Sequence, residues 1–290
     1  MTANNDMKKT IFLVLVAILH QFCTLAQTPL SSDSVLKILA IGNSFSEDGI
    51  ENYLYELASV SGKKIIIGNM YIGGAPLSLH VKNARANAAS YSYRKIDISG
   101  KKVVTNQTSI AQALSDENWD YISFQQASPL SGQYQTIVES LPELVTYVRG
   151  KVGALPQFVY HQTWAYQQDA THEGFKNYNS DQLTMYKAIV NASKQVAALG
   201  YFAHIIPAGT AVQNAGSSSL GDTFTRDGYH LQLDYGRFTA ACTWYEMLFG
   251  QDVRKNTYKP SAVSEIQAEI AKAAAHKAVK KPYKISKIKR

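Results

Sequence analysis

Cysteine is almost absent from this chain. Two occur in 290 residues, Cys23 and Cys242, and Cys23 falls in a segment expected to be removed. One remaining cysteine forms no internal disulfide, so an exported chain of this kind must be held by its apolar core. Cys242 lies in the stretch Ala240-Ala241-Cys242-Thr243-Trp244, which reads as buried structure rather than a nucleophile. Charge is also sparse, at 18% of residues, with 29 Lys and Arg against 22 Asp and Glu. Part of the +7 excess is terminal: Lys280, Lys281, Lys284, Lys287, Lys289 and Arg290 stand together with no acid. This reads as a solvated basic tail. There is no basic helix or aromatic platform, so no nucleic-acid partner is expected.

Several chemical signatures are missing as well. The chain has no Gly-x-Ser-x-Gly elbow, which removes the motif of an α/β-hydrolase. It has no His-Glu-x-x-His, Cys-x-x-Cys, P-loop or dinucleotide glycine pattern, and its seven histidines show no metal-ligand spacing. No cofactor and no metal are expected. What is present is a globular composition, 46% hydrophobic, which rules out a wholly disordered or fibrous chain.

The first segment reads as a targeting signal. Lys8 and Lys9 precede the apolar run Ile11 to Leu19, and Thr24-Leu25-Ala26 follows. Basic start, short apolar run and small residues form a secretory signal peptide over residues 1–26. The run is about half the length of a membrane span, so no stable membrane insertion is expected after cleavage. A lipid anchor on Cys23 is disfavoured by the bulky His20-Gln21-Phe22. The expected location is periplasmic or secreted. Residues 27–290 read as one domain, its basic tail beginning near 280.

Strands and helices then alternate. Val35–Ile41, Lys64–Met70, Tyr121–Gln125, Gln157–Gln162 and Ala203–Ile206 read as five short, buried main strands. Glu47–Ser61, Pro76–Ala89, Ser109–Asp116, Tyr134–Val148 (interrupted near Pro142), Gln182–Leu199, Leu231–Phe249 and Ser261–Val279 read as helices. Tyr91–Asp97 and Lys101–Thr105 flank Ser99-Gly100 and read as a β-hairpin insertion. The repeated order predicts an α/β fold, a three-layer α/β/α sandwich around a mostly parallel five-stranded sheet.

In such a sheet, ligands bind beyond the carboxyl ends of the strands. Ser44 follows Gly42-Asn43 at the first strand end, where a serine is either a helix cap or an exposed hydroxyl. A hydroxyl becomes a nucleophile only when a base takes its proton. His230 is a candidate base, and Asp227, three residues earlier, is close enough to orient it.

This constellation resembles the SGNH hydrolases, the GDSL-like esterase superfamily of flavodoxin-like fold, and within it the bacterial DUF4886 group, over Leu36 to Gly250. Gly42-Asn43-Ser44-Phe45-Ser46 matches the first block, with Asn43 where many members have Asp. The resemblance implies Ser44 as nucleophile. Asp227-Gly228-Tyr229-His230 matches the final Asp-x-x-His block and implies Asp227 and His230 as its partners. Gly73-Gly74 falls at the second block, which implies an oxyanion-hole N–H from Gly74 beside that of Ser44. The third block departs from the family: Phe124-Gln125-Gln126 stands where most members have Gly-x-Asn-Asp. Sialate and acetylxylan esterase relatives carry Gln there, so the oxyanion amide is assigned to Gln125, with Gln126 as the alternative.

Asn43, His80, Trp164 and Tyr229 are candidates for contact with substrate, since aromatic faces suit sugar rings. Tyr166 lies beside the same loops, and Arg226 reads as a surface ion pair. The resemblance implies a secreted serine esterase acting on a small-molecule or glycan ester, foremost O-acetyl groups on carbohydrate. A non-catalytic glycan-binding protein and a lipid esterase or thioesterase are the alternatives. The sequence shows no long apolar loop to line an acyl channel. It leaves the oligomeric state open.

Overall fold

The computed structural model describes residues 34–289; the expected signal peptide lies outside them. From Val35 onward the described residues form one compact unit. Its first strand, β1 (Val35–Gly42), is apolar and buried from Ile38 onward because both of its faces are covered there; Lys37, near its start, is half-buried and paired with Glu117. Leu36, Ile38 and Ala40 pack on one side of the sheet, and Leu39 and Ile41 on the other, as the two-residue period of a strand requires.

β1 pairs in parallel with β2 (Lys64–Tyr71) on one side and β5 (Tyr121–Phe124) on the other. Outward from β5 follow β6 (Gln157–His161) and β7 (His204–Ile206), also parallel. The sheet has seven strands rather than the five expected: with β3 (Tyr91–Ile96) and β4 (Lys102–Thr108) beyond β2, the order is β4-β3-β2-β1-β5-β6-β7. The hairpin of β3 and β4 is part of the sheet: β3 pairs antiparallel with β2 from Ile67↔Ile96 to Tyr71↔Ser92. Tyr91 and Tyr93 are buried on one face of the sheet and Ile96 on the other, so the hairpin buries its apolar residues by extending the sheet rather than by standing apart from it.

Two helical layers cover the sheet. On one face lie α3 (Leu77–Ala86), α4 (Ile110–Asp116) and α6 (Leu141–Val152), through Leu77, Val81, Ala113, Leu141, Leu144 and Val148. On the other lie α2 (Leu54–Val60), α9 (Tyr235–Phe249) and α10 (Glu265–Lys280), through Leu54, Leu57, Phe238, Trp244, Ala271 and Ala275. The fold is thus a mixed three-layer α/β/α sandwich with parallel centre and antiparallel edge.

The helix expected over Glu47–Ser61 is two helices, α1 (Ser44–Ile50) and α2. The break falls at Tyr53, which adopts left-handed backbone (φ 66); its ring packs edge-on against Phe238 and its hydroxyl donates to the Leu233 carbonyl. The interruption near Pro142 is real, separating α5 (Tyr134–Val138) from α6. α7 (Gln182–Ala198) follows β6, and α8 (Ala208–Ala215), not expected from the sequence, follows β7. The terminal segment exposes Lys281, Lys284, Lys287 and Lys289 as a solvated basic stretch would, but it is docked on the fold. The Ser286 N–H donates to Asn214 Oδ1, the Ile288 N–H to Ser217 Oγ, and the Ile288 side chain is buried.

Candidate active site

The carboxyl ends of β1, β2, β5 and β6 point to one rim, and the expected site residues stand on it. At the end of β1 the chain turns sharply into α1. A Cβ on Gly42 would sit 2.5 Å from Ser46 Oγ, so this turn needs glycine. Asn43, not Ser44, caps the helix: its Oδ1 accepts from the Phe45 N–H at 2.9 Å. Ser44 is therefore the first helical residue, and its hydroxyl is free of capping work. Its Oγ lies 2.8 Å from His230 Nε2.

His230 comes from the loop between α8 and α9. The loop is closed by an antiparallel bridge, Thr225↔Leu231, and by a hydrogen bond from the Arg226 N–H to the His230 carbonyl at 2.9 Å. At its tip Gly228 has φ +89, and a Cβ there would lie 2.9 Å from Ala170, so the tip is both left-handed and pressed against a neighbour. Asp227 Oδ1 accepts from the backbone N–H groups of His230 (2.7 Å) and Tyr229 (3.2 Å). Its Oδ2 is 2.7 Å from His230 Nδ1. Partial burial raises the Asp227 carboxyl, but its hydrogen bonds with the His230 side chain and the two N–H groups outweigh burial and hold it below the ordinary carboxylate range. An ionised Asp227 keeps the neutral imidazole's proton on Nδ1. Nε2 is then the bare nitrogen facing Ser44, the tautomer a base needs.

The candidate oxyanion donors divide. Ser44 N–H is one of the unpaired donors of a helix's first turn. Gly74 is exposed, with φ +67, in the turn that the Ala75 N–H closes onto the Ile72 carbonyl at 3.2 Å. Among the described residues, no protein group accepts from its N–H. Gln125 is buried behind β1's end. Its Nε2 donates to Asn43 Oδ1 at 2.8 Å, leaving one amide hydrogen, and its Oε1 meets His161 Nδ1 at 2.9 Å. Burial pushes the His161 imidazole down to about 3, so a neutral ring donates from Nδ1 and fixes the amide. His161, given no role by the sequence, is thus part of the site's support; its contact with Gln125 spans 36 residues, which no motif spacing could reveal.

Four expectations are corrected. Gln126 is not available to an oxyanion: its Oε1 accepts from the N–H groups of Leu77 (3.0 Å) and Ala127 (2.9 Å), and its Nε2 is directed at Thr136. Asn43 does not reach substrate, because its Oδ1 is taken as above and its Nδ2 donates to the Ala75 carbonyl. Trp164 is wholly buried, stacked on Phe45 at 4.4 Å, with its indole N–H on the Tyr229 carbonyl at 2.7 Å. It supports the loop from beneath. His80 is also wholly buried, paired with the Tyr91 hydroxyl at 2.8 Å and pushed down to about 4 by burial. Tyr229 remains partly exposed, its ring 4.2 Å from that of His230 and 4.8 Å from that of His172. Cys242 is buried, and burial pushes its thiol up, away from thiolate chemistry.

One group of potential metal ligands occurs among the described residues: Glu246, Asp252 and His276. His276 Nδ1 lies 2.8 Å from Glu246 Oε1 and 3.3 Å from Asp252 Oδ1, while Arg254 holds both Asp252 oxygens. The guanidinium already neutralises the carboxylate a cation would need.

The profile described as a domain of unknown function, DUF4886, matches residues 37–278. The chain belongs to the DUF4886 family. A crystal structure of a DUF4886 family protein from Bacteroides uniformis is 50% identical, covers 88% of this chain and 98% of its own, and superposes with a TM-score of 0.87. A proposed SGNH hydrolase from Slackia heliotrinireducens is 21% identical, covers 74% of this chain and 100% of its own, with a TM-score of 0.51. This DUF4886 domain therefore shares its fold with that protein. No curated protein matches the chain.

Proposed function

We propose that this DUF4886 protein is a serine hydrolase of carboxylic esters, exported through its N-terminal segment, with Ser44 as nucleophile, His230 as general base and acid, and Asp227 as orienting carboxylate. The observation that carries this reading is the unbroken chain Ser44 Oγ to His230 Nε2 (2.8 Å) and His230 Nδ1 to Asp227 Oδ2 (2.7 Å). The three residues span 186 positions and meet at the rim where α/β folds bind ligands.

In the first step Ser44 Oγ bonds to the ester carbonyl carbon as its proton moves to His230 Nε2, and the carbonyl oxygen takes the negative charge. The N–H groups of Ser44 and Gly74 and the remaining amide hydrogen of Gln125 are the donors assigned to that oxygen. Collapse breaks the bond to the alcohol, which leaves with the proton from His230. Water then attacks the acyl-serine, its proton again passing to His230, and Ser44 is released with the acid product.

A small acyl group fits best. Among the described residues, the large exposed apolar side chains Val103 and Val104 stand on the edge strand β4, Leu155 before the amino end of β6, and Ile266 on α10, none of them at a strand end that carries the trio; Leu233 is the one near His230 in sequence. On the alcohol side, nearest the proton donor, stand Tyr229 and His172, whose faces suit a sugar ring. This favours acetyl esters of carbohydrate. The test is acetate release by the purified protein from p-nitrophenyl acetate, a longer-chain p-nitrophenyl ester and acetylated xylan. The reading expects turnover to fall sharply with acyl length and acetate to appear from the polysaccharide. Preference for the long chain would assign the site to lipid esters.

A further inference from the structure

One side chain outside the catalytic trio joins the two halves of the site. Asp48 lies four residues after Ser44 on α1, hence on the same helical face and about one turn along it. It is wholly buried. Its Oδ2 accepts from the backbone N–H of Leu231, the residue after His230, at 2.8 Å. Both of its oxygens lie 3.2 Å from Arg226 Nη1, and Arg226 is the residue before Asp227. Its Oδ1 lies 2.7 Å from both Nε and Nη2 of Arg237 on α9. Arg226 also donates to the Leu231 carbonyl, and Arg237 reaches Asn52 Oδ1 at 3.4 Å.

We propose that Asp48, held between Arg226 and Arg237, is a positioning residue that sets the reach of His230 to Ser44. The proposal rests on the serine-hydrolase reading. The helix and the Asp227–His230 loop are joined twice on one face: once through Ser44 and His230, and one turn further through Asp48, Arg226 and the Leu231 amide. The second joint brackets the Asp-x-x-His segment from both sides. A buried carboxylate cannot slip away from its guanidinium partners without being left uncompensated, and its hydrogen bonds are directional where apolar packing is not. The loop is thereby held to a single register against α1. Loosening this joint moves the base off the nucleophile without touching the ester, so it slows proton transfer and leaves ester affinity in place.

Arg226 is the side to test, because it is partly exposed and its loss leaves Asp48 paired with Arg237. Ser44 reactivity is read from the rate of covalent labelling by a fluorophosphonate, alongside kcat and KM on p-nitrophenyl acetate and the thermal midpoint. Arg226→Gln is expected to label about 10- to 100-fold more slowly and to lose kcat in proportion, with KM within about threefold, as a base displaced by roughly an ångström would cause. Arg226→Lys, which keeps a charge but not the forked geometry, is expected to recover part of the rate. If Arg226→Gln labels and turns over within about twofold of the native protein while Ser44→Ala fails to label, the joint has no positioning role and the serine reading stands. If Ser44→Ala labels as fast as the native protein, the serine reading falls and the positioning role with it. Asp48→Asn, measured in parallel, should match or exceed the loss in Arg226→Gln; a milder effect contradicts the assignment.

Discussion

The two glutamines after β5 leave the strand on opposite faces, as alternation requires, and meet different partners. Gln125 turns toward Asn43 and His161 beneath Ser44; Gln126 turns toward the start of α3 and Thr136. Gln125→Ala is therefore expected to lower kcat by about 100-fold, the cost of one oxyanion donor. Gln126→Ala should leave kcat within about tenfold but destabilise the protein by about 1–3 kcal/mol, because the Leu77 N–H loses a buried acceptor. Steady-state kinetics and urea unfolding of both variants separate the roles. If neither lowers kcat, the oxyanion is held by the backbone N–H groups of Ser44 and Gly74 alone. At this scale the sequence was most legible where the chemistry is local. Asp227 and His230 are joined within one loop, and a three-residue spacing shows it. The burial of Trp164 and His80 was not legible, because it depends on Phe45 and Tyr91, partners that only the folded sheet brings near.

Among elements, the turn from β1 into α1 bears most directly on the site. Asn43 follows the strand, caps the helix, and accepts from Gln125. Asn43→Ala removes the cap, about 1 kcal/mol, and leaves the Gln125 amide and the Ala75 carbonyl without that partner. A total loss of about 2–3 kcal/mol in urea unfolding is expected. Asn43→Asp should recover much of it, since a carboxylate still accepts from Phe45 N–H and Gln125. Equal losses in both variants would mean the cap contributes little. The five main strands were readable from their continuous apolar runs, and Pro142 from its effect on helix continuity. The split between α1 and α2 was not, because Glu47–Ser61 has helical spacing throughout and the break depends on Tyr53 packing against Phe238 and reaching Leu233. α8 was missed because its Gly209 fits a contact rather than a helical pattern: a Cβ there would lie 2.0 Å from the Thr163 carbonyl oxygen.

For the whole molecule, the main change from expectation is the antiparallel edge, which turns a hairpin into two further strands of one sheet. A consequence of folding around this sheet is that two histidines are sealed in the interior as neutral rings, His80 pushed down to about 4 and His161 to about 3. In the unfolded chain each regains its ordinary value and binds a proton below about pH 6.5. The stabilising difference is therefore present above that pH and is lost as pH falls toward the folded values. One such histidine lowers stability by about 2 kcal/mol between pH 7 and pH 5. Urea unfolding of the native protein and His80→Gln at those two pH values should differ in their pH dependence by about that amount; an unchanged dependence would mean His80 is protonated in the fold.

The central claim, that Ser44 is the nucleophile of an ester hydrolase, is tested most directly by turnover of p-nitrophenyl acetate in Ser44→Ala. The hydroxyl caps no helix and its one side-chain partner is His230, so thermal stability should change by no more than about 1 kcal/mol. Turnover should fall by about 10⁴-fold or more, as loss of a serine nucleophile does. A folded Ser44→Ala protein that keeps turnover within about tenfold of the native rate would contradict the account.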